Sequence, residues 1–287
     1  MFMVSKKMIF LALNFRMKYK KINSRFFGLL TGLLAGFIFI VPQMLQAQTL
    51  EIGASGGVAY YIGDINPAIP YKQSKLAFGA VARYNINKRW AARFSYTRGK
   101  LIGDDIKTNA VENRELNFKT NINDFSLVAE FNFWEYFTGS RRNYFTPYIF
   151  GGIGFFTFKP YNFDGVNLQA HGTEGQSQYQ EQQYESRAPY RLWGISIPFG
   201  FGFKYSISRR LGLGLEWGMR KTFTDYIDDI STTYYTSGDY VSDPTGTHSA
   251  GMQRGNEAND DWYNFTLLSV TYKFNLYGSK KCKENEW

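Results

Sequence analysis

The stretch ISIPFGFGFKYSISRRLGLGLEWGMRKTFTDYIDD, residues 195–229, begins with apolar side chains at odd positions and polar, charged or small ones at even positions. The alternation is interrupted at 208–210 and then resumes in the same phase. A period of two is typical of β-strands with two different faces, so the stretch predicts two antiparallel strands joined by a tight turn. One face is continuously apolar, while the other carries Lys204, Glu216 and Arg220.

The same alternation recurs from residue 49 onward, and no window shows a sustained helical period. Eight runs are predicted as strands: 50–61, 76–86, 90–103, 117–134, 146–158, 194–207, 211–223 and 262–275. A soluble β-sandwich would also alternate, but its strands are usually about five or six residues long. Most of the runs here are much longer, and their length fits a tilted strand that crosses a bilayer of about 30 Å.

The connections between these runs alternate between short and long. Tight turns are predicted at 87–89 and 208–210 and a moderate one at 135–145, whereas the loops at 159–193 and 225–261 are long. Short periplasmic turns and long extracellular loops are typical of outer-membrane barrels. We therefore predict an all-β, eight-stranded antiparallel transmembrane β-barrel in the cell outer membrane.

Strand parity assigns the two faces of this barrel. Exposing Lys or Arg to lipid at the bilayer midplane costs roughly 2–4 kcal/mol, so the apolar face must meet lipid and the charged face must line the lumen. Eight strands enclose only enough space for side chains, so we expect a filled lumen and not a solute channel. The predicted lumen charge network consists of Arg83, Arg93, Glu130, Lys204, Glu216, Arg220 and Lys273.

Basic pairs recur in the predicted periplasmic turns. They are Lys88 with Arg89, Arg141 with Arg142, and Arg209 with Arg210. These residues are a candidate docking surface for a periplasmic partner. Attraction to anionic headgroups of the inner leaflet, at about 1 kcal/mol per base, is a compatible alternative.

The formal charge of +9 does not indicate a nucleic-acid partner, because seven of the 33 bases and none of the acids lie in residues 1–47. This segment has a basic start, an apolar run over 26–41, Pro42 and a small residue at Ala47, as in a secretory signal peptide. An uncleaved anchor is the alternative, although the apolar run is shorter than the roughly 20 residues of a spanning helix.

The predicted boundaries are therefore a signal peptide over 1–47, of which 1–16 read as an over-long start, a barrel domain over 48–276 and a short charged periplasmic tail over 277–287. Cys282, the single cysteine, has no intrachain partner, which excludes a disulfide scaffold. The tail leaves open which residue ends the closing strand.

Several motifs together resemble the PorG-like outer-membrane barrel family, which is often left as a domain of unknown function, over about residues 50–274. They are YIGDINP (61–67), FGAVARYNINKRWAAR (78–93), FTPYIFGGIGFF (145–156), HGTEGQ (171–176), SIPFGFGFKY (196–205), KTFTDYIDDIS (221–231), RGN (254–256) and DWYNF (261–265). The resemblance implies an outer-membrane component associated with the type IX secretion machinery, near its periplasmic lipoprotein ring. It brings no catalytic residues.

The loop acids and the two histidines are the residues with the most potential for chemistry. The pairs Asp228-Asp229 and Asp260-Asp261 are predicted to be solvated loop acids, because adjacent residues on an extended chain point to opposite sides. Neither His171 nor His248 falls within a predicted strand. A cation site formed by TEGQ and the acids of 225–261 is a weaker hypothesis, since the ligand spacing is irregular. We expect no enzyme activity, no cofactor and no small-molecule substrate.

The leading functional hypothesis is a non-enzymatic barrel that anchors or organises a protein secretion complex of the type IX class. The alternative is an adhesin or envelope-stabilising small barrel that acts through its extracellular loops.

Overall fold

The computed structural model describes residues 49–67, 70–109, 111–176 and 187–275. Its strands are β1 (Thr49–Ile62), β2 (Lys75–Asn85), β3 (Trp90–Asp104), β4 (Asn117–Asn132), β5 (Phe145–Thr157), β6 (Pro160–Tyr161), β7 (Trp193–Ser206), β8 (Leu211–Thr222) and β9 (Trp262–Asn275). The predicted signal peptide and the predicted charged tail lie outside the described residues.

Eight of these strands, all except the two-residue β6, form a closed antiparallel barrel in the described part of the chain. Each pairs with its neighbour along the chain, and β9 closes the sheet on β1, with Thr49 opposite Asn275 and Ile62 opposite Trp262. Strand β6 pairs with the start of β4, at the residues Lys119 and Thr120. The eight-stranded antiparallel barrel predicted from the alternation is confirmed, and its strand bounds lie within two residues of the predicted ones.

The connections divide the barrel into two ends. The turn end holds the connections 86–89, 133–144 and 207–210 together with the start of β1 and the end of β9. The loop end holds the connections 63–74, 105–116, 158–192 and 223–261.

Two short helices lie in the loops, α1 (Asp105–Thr108) and α2 (Leu168–His171). Each is capped at its N-terminus by a side chain, from Asp104 and Asn167 respectively. In the described residues no helix is both long and apolar enough to cross a membrane.

Strand parity separates the faces of the barrel as the sequence predicts. On the outward face, Ile195, Phe201 and Leu215 are 57%, 50% and 49% exposed. On the inward face of the same two strands, Lys204 and Arg220 are each 1% exposed. A wall of exposed apolar side chains around buried charges is the reverse of a water-soluble protein, and it is the arrangement expected of a barrel in lipid.

The interior has two layers. Toward the turn end it is lined by charged and polar side chains, and toward the loop end it becomes an apolar core. That core is built from both strands and loops: it includes Phe118, Phe156, Tyr263 and Phe265 from the barrel wall and Ile227 and Ile230 from the 223–261 connection. Part of the longest connection therefore packs into the barrel.

Candidate functional site

Glu130 on β4 is the centre of the charged layer and is fully buried. Its Oε2 atom lies 2.8 Å from Arg83 Nε and 2.5 Å from Lys204 Nζ, and its Oε1 atom lies 2.6 Å from Arg93 Nε. The three cations come from β2, β7 and β3. A single carboxylate thus links four strands of the barrel across its lumen.

Two further buried glutamates extend this network. Glu216 accepts from Arg93 Nη1 at 2.5 Å and from Tyr148 at 3.0 Å. Glu51 on β1 accepts from Arg83 Nη1 at 2.9 Å, and it also accepts from the side chains of Asn85, Thr138 and Thr271. Each arginine therefore bridges two acids, which compensates for the cost of burying the charges.

Arg220 lies nearer the loop end and takes a different partner. Its Nε atom is 3.9 Å from Asp124, which also accepts from Tyr263 at 2.8 Å, and its Nη1 donates to the backbone oxygen of Gly218. A Cβ atom on Gly218 would lie 2.5 Å from the Arg220 guanidinium, so the glycine makes room for this large side chain.

The structure places six of the seven residues of the predicted lumen network in buried ion pairs: Arg83, Arg93, Glu130, Lys204, Glu216 and Arg220. The seventh, Lys273, lies in a different setting. Lys273 is half-buried, and its Nζ donates to the backbone oxygen of Thr138 and lies over the Phe137 ring at 4.2 Å. Sequence reasoning left out Glu51 and Asp124, although both occupy inward positions by parity. With them, the buried lumen charges in the described residues balance: Arg83, Arg93, Lys204 and Arg220 against Glu51, Asp124, Glu130 and Glu216.

At the turn end, the six basic residues of the candidate docking surface are all exposed. Among them, Lys88 lies 3.1 Å from Glu135, Arg89 donates to a backbone oxygen, and Arg210 donates to the Tyr272 hydroxyl at 2.8 Å. Glu135 is the one acid in the three turn-end connections. The 133–144 connection tucks Tyr136 and Thr138 beneath the barrel, and its basic pair at 141–142 remains exposed.

The loop end contains a buried polar cluster. The Tyr61 hydroxyl lies 2.5 Å from Asp228 Oδ2 and 2.6 Å from Asp261 Oδ1. A phenol has one hydrogen to donate, so its second contact requires a proton on one of the two carboxyl groups. Burial raises the pKa of both aspartates, and their mutual repulsion raises that of Asp261 further. The shared proton ties the 223–261 connection to β1.

Glu174 and Arg254 form the second part of this cluster. Glu174 accepts from the backbone nitrogens of Ser231 and Thr232 and from Arg254 Nη1 at 3.1 Å. Arg254 also donates to the backbone oxygen of Asp229, whose carboxylate accepts from Tyr190 at 2.5 Å. These bonds join the 158–192 connection to the 223–261 connection.

Arg114 connects the remaining loops to this cluster. Arg114 binds Asp105 through two nitrogens at 2.6 and 2.7 Å, and it donates to the backbone oxygens of Asp64 and Arg254. All four loop-end connections are therefore held together by buried polar contacts.

The prediction of solvated loop acids is wrong for Asp228, Asp229 and Asp261, which are at most 1% exposed. The two carboxylates of the Asp228-Asp229 step do separate, one toward Tyr61 and the other toward Tyr190. Local pattern does not reveal that a loop folds back over a barrel mouth, which is why the burial was missed. Among the described residues, no group of three or more His, Cys, Asp or Glu side chains is arranged to hold a metal ion.

The two histidines lie outside the strands, and each faces an aspartate. His171 Nε2 is 2.8 Å from Asp239, which raises the pKa of His171 and lowers that of Asp239 to about 2. His248 Nδ1 is 2.9 Å from Asp243, and its ring stacks on Tyr234. Both pairs brace the 223–261 connection.

The closed barrel, its exposed apolar wall and its buried charges define a transmembrane β-barrel of the outer-membrane type. The chain belongs to the family described as domain of unknown function DUF6089, whose model matches residues 31–284. No curated protein gives a significant match.

Among solved structures, the chain is similar to the attachment invasion locus protein Ail of Yersinia pestis, with 13% identity, a TM-score of 0.41, and coverage of 80% of this chain and 100% of that chain. It is also similar to Neisserial surface protein A, with 12% identity, a TM-score of 0.40, and coverage of 78% and 97%. The chain is similar as well to the outer membrane protein OprG of Pseudomonas aeruginosa, with 12% identity, a TM-score of 0.38, and coverage of 80% of this chain and 97% of that chain. Likeness at this level carries no functional inference.

The lumen network predicts a large effect of Glu130→Gln. The change leaves three buried cations around a neutral amide, and we expect the free energy of unfolding to fall by about 3–5 kcal/mol. The matched change Glu135→Gln, at the exposed pair with Lys88, should cost less than about 1 kcal/mol. Urea unfolding of the detergent-folded barrel measures both. Similar losses in the two variants would show that the lumen pairs are not the stabilising ones.

The loop-end cluster predicts a pH dependence. Burial raises the pKa of Asp225 to about 9, and the neighbouring Asp228 adds to the rise. A folded-state pKa above the unfolded one means that stability is fully present below about pH 4 and is lost as the pH rises toward 9. Asp225→Asn should therefore stabilise the protein relative to wild type by an amount that grows from pH 5 to pH 9.

The measurement is the urea midpoint of both proteins across that range. Asp164→Asn, at an exposed loop acid, is the control for the removal of a loop carboxylate. A difference between Asp225→Asn and wild type that shrinks with rising pH would contradict the assigned protonation.

Proposed function

We propose that this protein is a non-enzymatic outer-membrane barrel that anchors or organises a protein secretion complex of the type IX class. The observation that carries the proposal is the exposed basic surface at the turn end, where six basic side chains share three connections with a single acid. The resemblance to the PorG-like family supports the same assignment.

The form of the turn end supports docking by a partner. The connections 86–89 and 207–210 are short, so they present their basic side chains close to the barrel wall. Thr138 holds the 133–144 connection to the barrel interior. Its hydroxyl donates to Glu51 at 2.6 Å, and its backbone oxygen accepts from Lys273. A surface on anchored backbone needs little ordering when a partner binds.

The expected partner is an acidic face of a periplasmic lipoprotein assembly. A basic rim attracts such a face over long range, and the attraction weakens as salt rises. The loop end offers a second candidate surface, because its four connections form a platform held by Arg114 and Arg254. That platform is the surface that an adhesin or envelope-stabilising protein would use.

The two functions are separated by charge reversal at opposite ends. We expect the double change Arg141→Glu and Arg142→Glu to lower both secretion and cross-linking to the periplasmic partner by about tenfold or more, since each reversal turns attraction into repulsion. Lys75→Glu with Lys107→Glu is the matched change on exposed bases of the loop end and should leave both near wild type.

Both variants should insert normally, which heat-dependent gel mobility of outer-membrane fractions can verify. Loss of secretion in the loop-end variant together with a normal turn-end variant would contradict the proposal. The active surface would then lie outside the cell, as in the adhesin alternative.

A further inference from the structure

The charges on the outward face of the barrel are unevenly distributed. In the described strands this face carries four basic side chains, each in the part of its strand nearest the loop end: Arg98, Lys100, Lys119 and Lys221. Asp104, the last residue of β3, shares their parity, but its carboxylate caps α1 and lies 2.9 Å from Lys107. In the described strands, the outward face therefore presents cations and no free carboxylate at its loop-end edge.

Three of these bases lie together on the β3–β4 ladder. Arg98 and Lys100 are two residues apart on one face of β3, and Lys100 is opposite Asn121, the neighbour of Lys119 on the same face of β4. Lys100 therefore lies within about 7–8 Å of each of the other two bases, whereas Arg98 and Lys119 lie at opposite ends of the row. Three cations in such a row can contact the phosphates of a headgroup at more than one point.

Two of the three have no competing acid. Within the described ranges, neither Arg98 nor Lys100 makes an ion pair or a hydrogen bond through its side chain, and both are exposed. Lys119 donates to the backbone oxygen of Phe163 at 2.9 Å, which leaves two of its ammonium hydrogens for a ligand.

The position of the patch points to lipid and not to a soluble partner. The next outward residues toward the turn end are Tyr96 and Phe125, whose rings pack at 4.9 Å, and the apolar wall continues from there. The Tyr96 hydroxyl donates to Asn123. The hydroxyl of a tyrosine at the membrane interface lies at the level of the lipid headgroups. Cations beside the aromatic edge of the wall lie where lipid phosphates lie.

A similar pairing of base and ring occurs elsewhere along this edge. Arg191 lies 5.1 Å from the Trp193 ring, Lys159 lies 5.4 Å from the Tyr161 ring, and Lys221 lies 5.7 Å from the Trp262 ring. Such pairs hold the basic heads at the interface. The described parts of β1 and β9 carry no outward charge, so the basic edge covers one side of the barrel.

We propose that Arg98, Lys100 and Lys119 form a binding surface for the phosphates of lipid A, the phosphorylated glycolipid of the leaflet that surrounds the loop end in an outer membrane. The proposal depends on the orientation of the barrel and not on the secretion function. It commits to lipid A because the patch faces sideways from the loop-end edge, where that lipid forms the leaflet.

The test uses the full-length protein folded in detergent and titrated with bisphosphorylated lipid A, with adducts counted by native mass spectrometry. The variant Arg98→Gln, Lys100→Gln, Lys119→Gln should bind roughly a hundredfold more weakly, from the contribution expected of three juxtamembrane bases. The matched single change Lys75→Gln, at an exposed base of β2 outside this patch, should keep wild-type affinity. Lys100→Gln alone, a single exposed change, should weaken binding about fivefold.

Two further titrations of the wild type identify the source of the attraction. Dephosphorylated lipid A should bind much more weakly than the bisphosphorylated form, and so should phosphatidylglycerol, which carries one phosphate. Equal binding of phosphatidylglycerol would overturn the proposal in favour of general anionic attraction. Equal binding by the variant Arg98→Gln, Lys100→Gln, Lys119→Gln and by the wild type would place the lipid elsewhere and would overturn the proposal as well.

Discussion

The structure depends on the pairing of buried charges inside the barrel, because no charged side chain can face the lipid at mid-membrane. Glu130 shows the consequence most directly, since its carboxylate meets Arg83, Arg93 and Lys204 from three other strands. Charged side chains excluded from lipid must enter the lumen, and in a narrow lumen they must meet opposite charges or cost several kcal/mol each. The parity of each strand therefore determines both the outer surface and the inner network.

The same constraint explains the change of character along the barrel axis. The charged layer gives way toward the loop end to the aromatic core around Phe118 and Phe265, which the 223–261 connection completes from above. A loop that supplies core residues cannot move freely. The contacts of Tyr61 with Asp228 and Asp261, one of which carries a proton, hold this loop to β1 as well. The loop end is thus a folded platform, whereas the turn end is a thin basic rim, and the two surfaces suit different partners.

Sequence reasoning predicted the barrel well because alternation is a local signal. The pattern around Phe201 and Lys204 identified the strand, the face that meets lipid and the adjacent strand. With a period of two, only one set of side chains on a strand can point inward. It was less complete where the inward residues are small: β1 is rich in glycine, alanine and serine, and Glu51 was not recognised as a lumen acid in that setting. The burial of Asp229 and Asp261 was missed because it comes from contacts between loops that lie far apart in the chain. The motifs that carry the family resemblance include Tyr61, Glu174, Asp228, Arg254 and Asp261, which meet in that cluster.

The central claim is that the odd-numbered face of β7 lies in lipid. Nitroxide labels placed one at a time at residues 195, 197, 199, 201 and 203, in a Cys282→Ser background reconstituted into bilayers, test it through their collisions with oxygen and with a water-soluble nickel complex. The account predicts that oxygen collisions dominate at all five positions, most strongly near Phe199, because oxygen concentrates in the bilayer interior. If the nickel complex reached these positions as readily as it reaches a label on the 207–210 turn, this face would lie in water and the account would be wrong.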